Sequence, residues 1–358
     1  MPKWRTVRDH LLYAHSESLI DDEEFILLFD LYTAKSPDLP YWKYDEFDLD
    51  KLSDDECITE FRFLKGHIYI LVDAMKLPEV IKCYNGLLVD RVEALCIFLK
   101  RFAYPCRYLD MMPRFGRPVP QLCMISNAVM SFLYTQWNHL LSTFDQPWLT
   151  SDNIEEFCHA VFQKSGALEN CFGFVDGTVR PICKPGKNQR VLYNGHKKVH
   201  AIKFQSLAVP NGLVANLFGP VEGKRHDSAM LAQSDLYNKL QQLDPLPNEN
   251  PVCIYGDPAY PHRPQLQCPF KGARITPEQQ EWNKAMSSVR VSVEWIFGDI
   301  VNYFKFIDFK KTLKIQLSAV GKMYICCTLL HNARCCFYGS ITSQFFELEP
   351  PSINEYFV

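Results

Sequence analysis

The strongest constraint on the fold is a change of pattern near residue 171, where short apolar runs replace helical periodicity. The runs FGFVD, VHAIKFQSLAVP and LVANLFG predict three successive strands, and Asn211-Gly212 between the second and the third is a strong hairpin signal. RHDSAMLAQSDLYNKLQQL then predicts a helix, and PVCIYGD predicts a fourth strand. Three strands joined by hairpins, then a helix, then another strand leave few topologies open.

This order is typical of an α/β domain of the ribonuclease H-like class, a mixed sheet flanked by helices. We expect this domain over residues 165–340, followed by a C-terminal tail over 341–358. Thr276, Pro277 and Gln279 form the start signal of a long helix, and apolar residues recur behind them at helical spacing. The sequence predicts a further, buried helix at about 313–338.

The first part of the chain is predicted to be helical. Residues 1–55 form an acidic lead and a linker, which we place from Ser36 to Leu52. An all-α domain resembling a helix-turn-helix is expected over 56–145, with residues 56–85 helical.

Three helical patches over 88–137 are interrupted at Tyr104-Pro105 and at residues 115–118. Arg114 and Arg117 lie at the second break and are candidate DNA contacts. The alternative is an ordinary helical bundle with no role in binding DNA.

The net charge of −3 hides an asymmetry along the chain. Residues 1–60 hold 16 acidic and 6 basic residues, whereas the remainder holds 25 acidic and 32 basic ones. Residues 177–221 contain no Asp or Glu at all, which indicates a polyanionic partner such as DNA. The alternative is a solvated basic loop. The candidate DNA-binding residues in this run are Arg180, Lys184, Lys187, Arg190, Lys197 and Lys198.

Four acidic residues stand where a ribonuclease H-like domain would bring them together. Asp176 is expected to end the first strand and Asp257 the fourth, while Asp227 begins the helix between the third and fourth strands and Glu294 lies on the long helix. Clustered carboxylates need cations, and Mg²⁺ or Mn²⁺ prefers such oxygen ligands. We therefore predict that Asp176, Asp227, Asp257 and Glu294 converge on one divalent-metal site.

Each of these acids has a structural alternative. Asp176 fits a turn with the two residues after it, and Asp257 fits a turn before Pro258. Asp227 fits the N-cap of its helix, and Glu294 fits an ion pair with Arg290 one turn earlier.

The cysteines and the hydropathy of the chain limit which class of protein it can be. The 14 cysteines include no CxxC pair, so reduced, mostly buried thiols are expected. Cys327, His331 and Cys335 share helical spacing, which leaves a zinc site open as an alternative to core packing. No apolar run is long enough to span a membrane and no signal peptide is evident, so we expect a soluble intracellular protein.

The motifs FVDGTVRPI, RHDSAML, YGDPAYP and NKAMSSVRVSVEWIFG resemble those of the PIF/Harbinger superfamily of DDE transposases, over about residues 56–338. The resemblance implies a ribonuclease H-like nuclease that uses a divalent metal, with Asp176, Asp257 and Glu294 as its triad. Ala259 stands where the family has a glycine in the motif around Asp257.

A DDE transposase or nuclease is the function that these features favour. Such an enzyme hydrolyses DNA at transposon ends and joins the 3′ ends to target DNA through two metal ions. The resemblance further implies a nuclear location, double-stranded DNA as substrate and a separately encoded Myb-like partner protein, and it allows a homo-oligomer. The alternatives are a domesticated descendant that binds DNA or a partner without cutting, a ribonuclease and a protein-interaction adaptor.

Overall fold

The computed structural model describes residues 4–31, 39–247, 249–272 and 274–358. The chain divides into two compact units, Met1–Tyr44 and Asp45–Val358. The predicted helical domain and the predicted sheet domain both lie in the second unit, and part of the predicted linker, residues 36–38, lies outside the described residues. Among the described residues, no helix combines the length and the apolarity that crossing a membrane requires.

The described residues of the first unit form α1 (Trp4–Ser16), α2 (Asp22–Leu31) and a 3₁₀ turn at Tyr41–Lys43. Helix α2 begins with three consecutive acids, and the Asp21 carboxylate accepts a hydrogen bond from the backbone N–H of Glu24 at 2.8 Å. Acids at this position stabilise a helix because its N-terminus carries partial positive charge.

The second unit begins with helices and one β-hairpin. Its first elements are α3 (Asp54–Phe61), α4 (Lys65–Ala74), β1 (Val80–Lys82), β2 (Leu88–Asp90), α5 (Arg91–Ala103), α6 (Tyr108–Phe115), α7 (Val119–Trp137) and α8 (Ser151–Ser165). Helices α5 to α7 confirm the three predicted patches and their breaks. The prediction of helix through residue 85 is wrong from Met75, because α4 ends at Ala74 and β1 then pairs with β2 across a turn at Gly86. The helix-turn-helix interpretation stays a prediction.

Six strands form the main sheet of this unit. They are β3 (Cys171–Pro181), β4 (Tyr193–Asn194), β5 (Val199–Ala208), β6 (Val214–Glu222), β7 (Cys253–Gly256) and β8 (Leu266–Gln267). The sheet order is β4-β5-β3-β7-β8, with β6 also paired to β5. β3, β5 and β6 are antiparallel neighbours, whereas β7 runs parallel to β3, so the sheet is mixed. This arrangement is compatible with the predicted ribonuclease H-like domain.

The hairpin between β5 and β6 confirms the predicted Asn211-Gly212 turn. Gly212 has φ +88°, which side chains rarely tolerate, and the Asn211 side chain accepts a hydrogen bond from the backbone N–H of Leu213 at 3.2 Å. A Cβ at Gly212 would also collide with the Ser340 side chain, so glycine is needed at this position.

The remaining helices of the unit follow β3 in the chain. They are α9 (Gln189–Leu192), α10 (Asp227–Gln233), α11 (Leu236–Leu240), α12 (Pro277–Tyr303), α13 (Val320–Tyr338), α14 (Ile341–Phe346) and α15 (Ile353–Tyr356). The start of α12 confirms the predicted capping box between Thr276 and Gln279. Its apolar stripe is buried from Met286 to Ile300. Because this stripe fixes the rotation of the helix, the neighbouring positions Arg290 and Glu294 are directed towards β3 and solvent.

Two predicted elements have different bounds in the structure. The helix expected after β6 is two helices, because Asp235 has φ +55° and breaks it after Ser234. Helix α13 begins at Val320 rather than near 313. The predicted C-terminal tail contains α14 and α15, and the buried Tyr356 hydroxyl accepts a hydrogen bond from the Asn332 side chain at 2.9 Å.

The cysteines are free thiols and mostly buried, as predicted. The His331 ring lies 3.4 Å from the Cys335 sulfur inside α13. Among the described residues, however, no three Cys, His, Asp or Glu side chains are grouped so that they could hold a metal ion. His331 and the two cysteines are therefore core residues in this structure.

His331 makes stability depend on pH. Burial lowers the pKa of His331 from 6.5 to about 4. The unfolded chain then binds a proton that the folded chain excludes, so the free energy of unfolding should fall by up to about 3 kcal/mol from pH 7 to pH 4.

Urea unfolding at a series of pH values measures this dependence. The His331→Gln variant should lose that component, whereas His159→Gln, at an exposed histidine, should keep it. Equal pH dependence in wild type and His331→Gln would contradict the assignment.

Candidate active site

Asp176 lies where the two neighbours of β3 differ in length. On one side, β3 pairs with β5 as far as Pro181. On the other, the last paired residues are Val175 and Gly256, after which β7 leaves the sheet. The prediction that Asp176 ends its strand is therefore wrong for β3 as a whole, because pairing with β5 carries the strand five residues further. It holds only on the side that faces β7.

Asp257 follows β7 directly, at the level of Asp176. Its carboxylate accepts a hydrogen bond from the backbone N–H of Ala259 at 2.9 Å, and the backbone N–H of Tyr260 bonds to its carbonyl at 3.1 Å. This tight turn folds Tyr260 back onto Gly256, where an added Cβ would lie 2.8 Å from the Tyr260 ring. Asp257 thus makes the turn that its structural alternative predicts, and its position beside Asp176 is set by the strand register.

The surroundings of Asp176 are mostly protein rather than water. Its side chain is 18% exposed and accepts hydrogen bonds from Arg290 Nη1 at 2.9 Å and from the backbone N–H of Gly177 at 2.7 Å. Burial raises the pKa of Asp176 to about 6, against the opposing effects of Arg290 and Gly177; the charges of Asp257 and Asp227 raise it further. Burial is also the main cause that raises the pKa of Asp257, and Asp227 adds to it.

Glu294 and Asp176 both pair with the side chain of Arg290. Arg290 Nη2 lies 3.8 Å from Glu294 Oε1, one helical turn away, and the Glu294 side chain is 59% exposed. The two acids also line one cleft of about 570 Å³ together with Arg180, Lys197 and Phe297. Asp257 is not among the residues that line this cleft.

Asp227 approaches from the opposite face of β3. Successive residues of a strand point to opposite faces, and Asp176 faces α12. A Cβ on Gly177 would point at the Asp227 carboxylate, only 2.4 Å from its Oδ1. Asp227 lies at the first position of α10, after the N-cap residue His226.

The Asp227 side chain neither caps the helix nor lies free. It forms an ion pair with Lys203 of β5 at 2.6 Å, and the ammonium group of Lys203 also donates to the carbonyl of Arg225 at 2.9 Å. Because Lys203 is only 6% exposed, this ion pair is largely shielded from water. The capping alternative for Asp227 is therefore wrong.

Tyr260 is a site residue that the sequence analysis missed. It is 1% exposed, and its hydroxyl has no hydrogen-bond partner among the described residues. The pKa of Tyr260 is raised by burial and then by the charges of Asp227, Asp176 and Asp257, so the hydroxyl lies in the field of all three aspartates. The only signal for it was its place in the YGDPAY motif.

The predicted DNA-binding residues fall into two groups. In the basic run, Lys184, Lys187, Arg190, Lys197 and Lys198 are exposed, while Arg180 donates to the Thr178 hydroxyl and lies 5.0 Å from the Tyr324 ring centre. In the helical region, Arg114 pairs with Glu60 at 2.7 Å and Arg117 pairs with Glu93 at 2.5 Å. These two arginines thus stabilise the packing of α3, α5 and α6, and their DNA contact stays a prediction.

The acids supply the chemistry of a divalent-metal site, but their side chains do not form a closed one. All four side chains offer carboxylate oxygens, the ligands that Mg²⁺ prefers. The Tyr260 hydroxyl, which has no hydrogen-bond partner among the described residues, lies in the field of the three aspartates, so a cation and its ligands would satisfy these polar groups. Within the described ranges, however, no three of the potential ligands are grouped to hold a metal, and Arg290 and Lys203 already pair with Asp176 and Asp227. The residue types fit Mg²⁺ or Mn²⁺; the side chains would have to rearrange around it.

Comparison with known proteins places this region in context. Residues 175–332 match the family model described as "DDE superfamily endonuclease", a range that contains all four acids. The chain is similar to the Arabidopsis thaliana protein described as "Protein ALP1-like", with 23% identity over 182 residues, 48% of this chain and 44% of that protein. The chain thus spans less than half the length of that relative. No solved structure matches the chain.

The contact between Gly177 and Asp227 generates a first prediction. Gly177→Ala should displace Asp227 from Lys203 and lower the free energy of unfolding by about 1–3 kcal/mol, as overpacking typically does. In an Asp227→Ala background the same change should cost at least about 1 kcal/mol less, because the colliding atoms are gone. Chemical unfolding of the wild type, the two single variants and the double variant measures the coupling.

Gly298→Ala is the matched control, because Gly298 lies in α12 with nothing within 4 Å of an added Cβ. It should be neutral or stabilising. Additive effects of Gly177→Ala and Asp227→Ala would contradict the contact.

The raised pKa of Asp176 generates a second prediction. Between pH 4 and pH 6 the folded chain holds a proton that the unfolded chain has released, so the free energy of unfolding should fall as pH rises through this window. Asp176→Asn removes this loss, and at pH 7 in a chelator the variant should be more stable than wild type by up to about 3 kcal/mol.

Near pH 4 the two proteins should unfold alike. Asp145→Asn, at an exposed aspartate, serves as the control and should follow wild type throughout. The free energy of unfolding of Asp176→Asn minus that of wild type should be larger at pH 7 than at pH 4. A smaller difference at pH 7 would refute the assignment.

Proposed function

We propose that this chain, which belongs over residues 175–332 to the Harbinger-type DDE transposase family, is a divalent-metal-dependent nuclease that hydrolyses DNA phosphodiesters. The observation that carries the proposal is the meeting of Asp176 and Asp257 at the end of β7, with Glu294 of α12 on the same cleft as Asp176. Asp176 lies 81 residues from Asp257 and 118 from Glu294 in sequence, and the fold brings all three to the region where β7 ends, which no surface loop requires.

Asp176, Asp257 and Glu294 are the residues that would hold the metal. When bound, two divalent cations would stabilise the attacking and leaving oxygens of phosphoryl transfer. The backbone N–H of Gly177 fixes one oxygen of Asp176, and the turn to Ala259 fixes one oxygen of Asp257. Both carboxylates are thereby held on rigid backbone, whereas Glu294 is exposed and adjusts its side chain.

Arg290 and Tyr260 complete the set of polar groups around the acids. Arg290 forms ion pairs with Asp176 and Glu294, and its remaining N–H groups would donate hydrogen bonds to a substrate phosphate. The Tyr260 hydroxyl, which lacks a partner among the described residues, would donate a hydrogen bond to a ligand of the site.

The exposed basic residues Lys184, Lys187, Arg190, Lys197 and Lys198 are proposed to bind the DNA backbone. Lys197 lines the cleft itself, so a strand bound there passes Asp176 and Glu294. Lys203 is excluded from this group because it is buried.

The finer features of the family extend the proposal. They are cleavage at transposon ends, joining of the 3′ ends to target DNA, work in the nucleus with a Myb-like partner protein, and assembly as a homo-oligomer. They rest on the family relationship alone.

A domesticated descendant that binds DNA without cutting is the second candidate. The observation in its favour is that three of the four acids are paired, Asp176 and Glu294 with Arg290 and Asp227 with Lys203, with no closed metal-binding group in the described part of the chain. DNA binding without metal-dependent cleavage by the wild type would support this alternative.

The nuclease assignment is tested on three single variants, Asp176→Asn, Asp257→Asn and Glu294→Gln. Each should reduce Mg²⁺- or Mn²⁺-dependent cleavage of a labelled duplex by at least about 100-fold, because each removes a charged metal ligand. Binding of the same duplex in a chelator should change little. Nicking assays and gel shifts measure the two properties.

Glu281→Gln is the matched control, since Glu281 is an exposed acid on the same helix as Glu294. It should cleave at the wild-type rate. Wild-type cleavage by Asp176→Asn would refute the role of the site, even if DNA binding is intact.

A further inference from the structure

A second acid-free segment lies near the C-terminus. Residues 309–346 contain no Asp or Glu, like residues 177–221. Their basic residues are Lys310, Lys311, Lys314, Lys322 and Arg334. The side chains of the first three lysines are exposed, and none of the three lines the cleft of the proposed catalytic site.

The structure brings the two acid-free segments together. The backbone N–H of Cys183 donates to the carbonyl of Leu313 at 3.0 Å, so the lysine-containing turn is joined to the start of the basic run. A second approach occurs where Gly321 meets Pro220, whose Cγ would lie 2.6 Å from an added Cβ. The two segments are therefore neighbours in the folded chain although more than a hundred residues separate them.

The turn that carries the lysines is an ordered part of the fold. Leu313 is 1% exposed and anchors it, and the backbone N–H of Ser318 bonds to the carbonyl of Lys314 at 3.0 Å. Lys310, Lys311 and Lys314 are all exposed around this buried residue. The backbone positions of the three lysines are thus fixed within one turn, and their side chains are exposed to solvent.

The remaining cations of this region are already engaged. Lys305 pairs with Asp308 at 2.8 Å, and the Lys322 ammonium lies 4.7 Å from the Tyr134 ring centre. Arg334 lies 3.8 Å from the Tyr303 ring centre and donates to the carbonyl of Arg62. The charges offered to a partner are therefore those of Lys310, Lys311 and Lys314, in the turn that is hydrogen-bonded to Cys183, the residue before Lys184.

We propose that these five lysines form one surface, the lysine surface, which binds the phosphate backbone of duplex DNA outside the cleavage cleft. None of the five lines the cleft that contains Asp176 and Glu294, so the surface contacts DNA away from the scissile bond. Positive charge without intervening acids matches a polyanion of regular charge spacing. The inference rests on the proposed function, because it takes DNA as the substrate.

The test is the salt dependence of binding. The triple variant Lys310→Gln/Lys311→Gln/Lys314→Gln is compared with wild type by fluorescence anisotropy of a labelled duplex, in a chelator and over a range of salt concentrations. Three lost contacts should flatten the slope of log affinity against log salt by up to about 2.7, and affinity at low salt should fall by at least about 10-fold.

The matched control is Lys43→Gln/Lys51→Gln/Lys82→Gln, which removes the same charge from exposed lysines elsewhere. It should keep the wild-type slope. An unchanged slope in the first triple variant, an equal loss in the control, or a loss confined to a structured RNA probe would overturn the proposal.

The chelator keeps this result separate from the nuclease assignment, because no cleavage enters the measurement. A nuclease with the lysine surface should also cleave at an unchanged rate when the duplex is saturating, with a higher KM in the first triple variant. A flattened slope in a chain that never cleaves would uphold the lysine surface and refute the nuclease.

Discussion

The candidate site depends on one difference in length, that between β3 and its parallel neighbour β7. β3 continues to Pro181 because β5 pairs with it throughout, whereas β7 stops at Gly256. Beyond Val175, the side of the β3 backbone that faces β7 therefore pairs with no strand in the described part of the chain, although β5 still pairs with the other side. Asp176 and Asp257 are the first residues past this point on their two strands, and their spacing is set by strand register rather than by side-chain choice.

Two glycines beside Asp176 and Asp257 leave room for neighbouring side chains. Gly256 leaves room for the Tyr260 ring, and Gly177 leaves room for the Asp227 carboxylate on the other face. Each glycine sits directly before or after a candidate metal ligand. The motifs VDG and YGD thus combine a charged residue with the space that its neighbours need, which explains why acid and glycine adjoin in both.

The charge of Asp176 works against the stability of the fold. Burial raises its pKa despite the direct bond from Arg290, so the desolvation of the carboxylate outweighs the ion pair. A chain selected only for stability has no use for such a group, and an amide or an apolar residue would serve better. Carboxylates held at this cost are typical of sites where ligands complete the charge balance.

Local patterns in the sequence predict much of the fold. The capping box at Thr276, the Asn211-Gly212 turn and the breaks around Pro105 and Gly116 each follow from local backbone chemistry and are found in the structure. The hairpin at Val80 was missed although Asn85-Gly86 carries the same turn signal as Asn211-Gly212, because its three-residue strands lack a clear alternation of apolar and polar residues. The extension of β3 to Pro181 is likewise set by pairing with β5, which no local pattern encodes.

Contacts between distant residues explain what sequence reasoning missed at the site. The four acids were found from their place at the ends of elements, but nothing local predicts that Lys203 turns inward to Asp227 or that Tyr260 is buried beneath the aspartates. The lysines at 310, 311 and 314 lie outside the basic run in sequence, and the hydrogen bond between Cys183 and Leu313 brings their turn against it. Such partners are set by tertiary packing.

The four acids are not equivalent in what they must give up to bind a cation. Glu294 is exposed and only loosely paired, so it rearranges at little cost. Asp227 would have to release Lys203, and an unpaired buried ammonium costs on the order of 3–5 kcal/mol. Asp227 also approaches β3 from the face opposite to Asp176. The energetics therefore favour a ligand set of Asp176, Asp257 and Glu294, with Asp227 and Lys203 as the ion pair that fixes α10 against the sheet behind them.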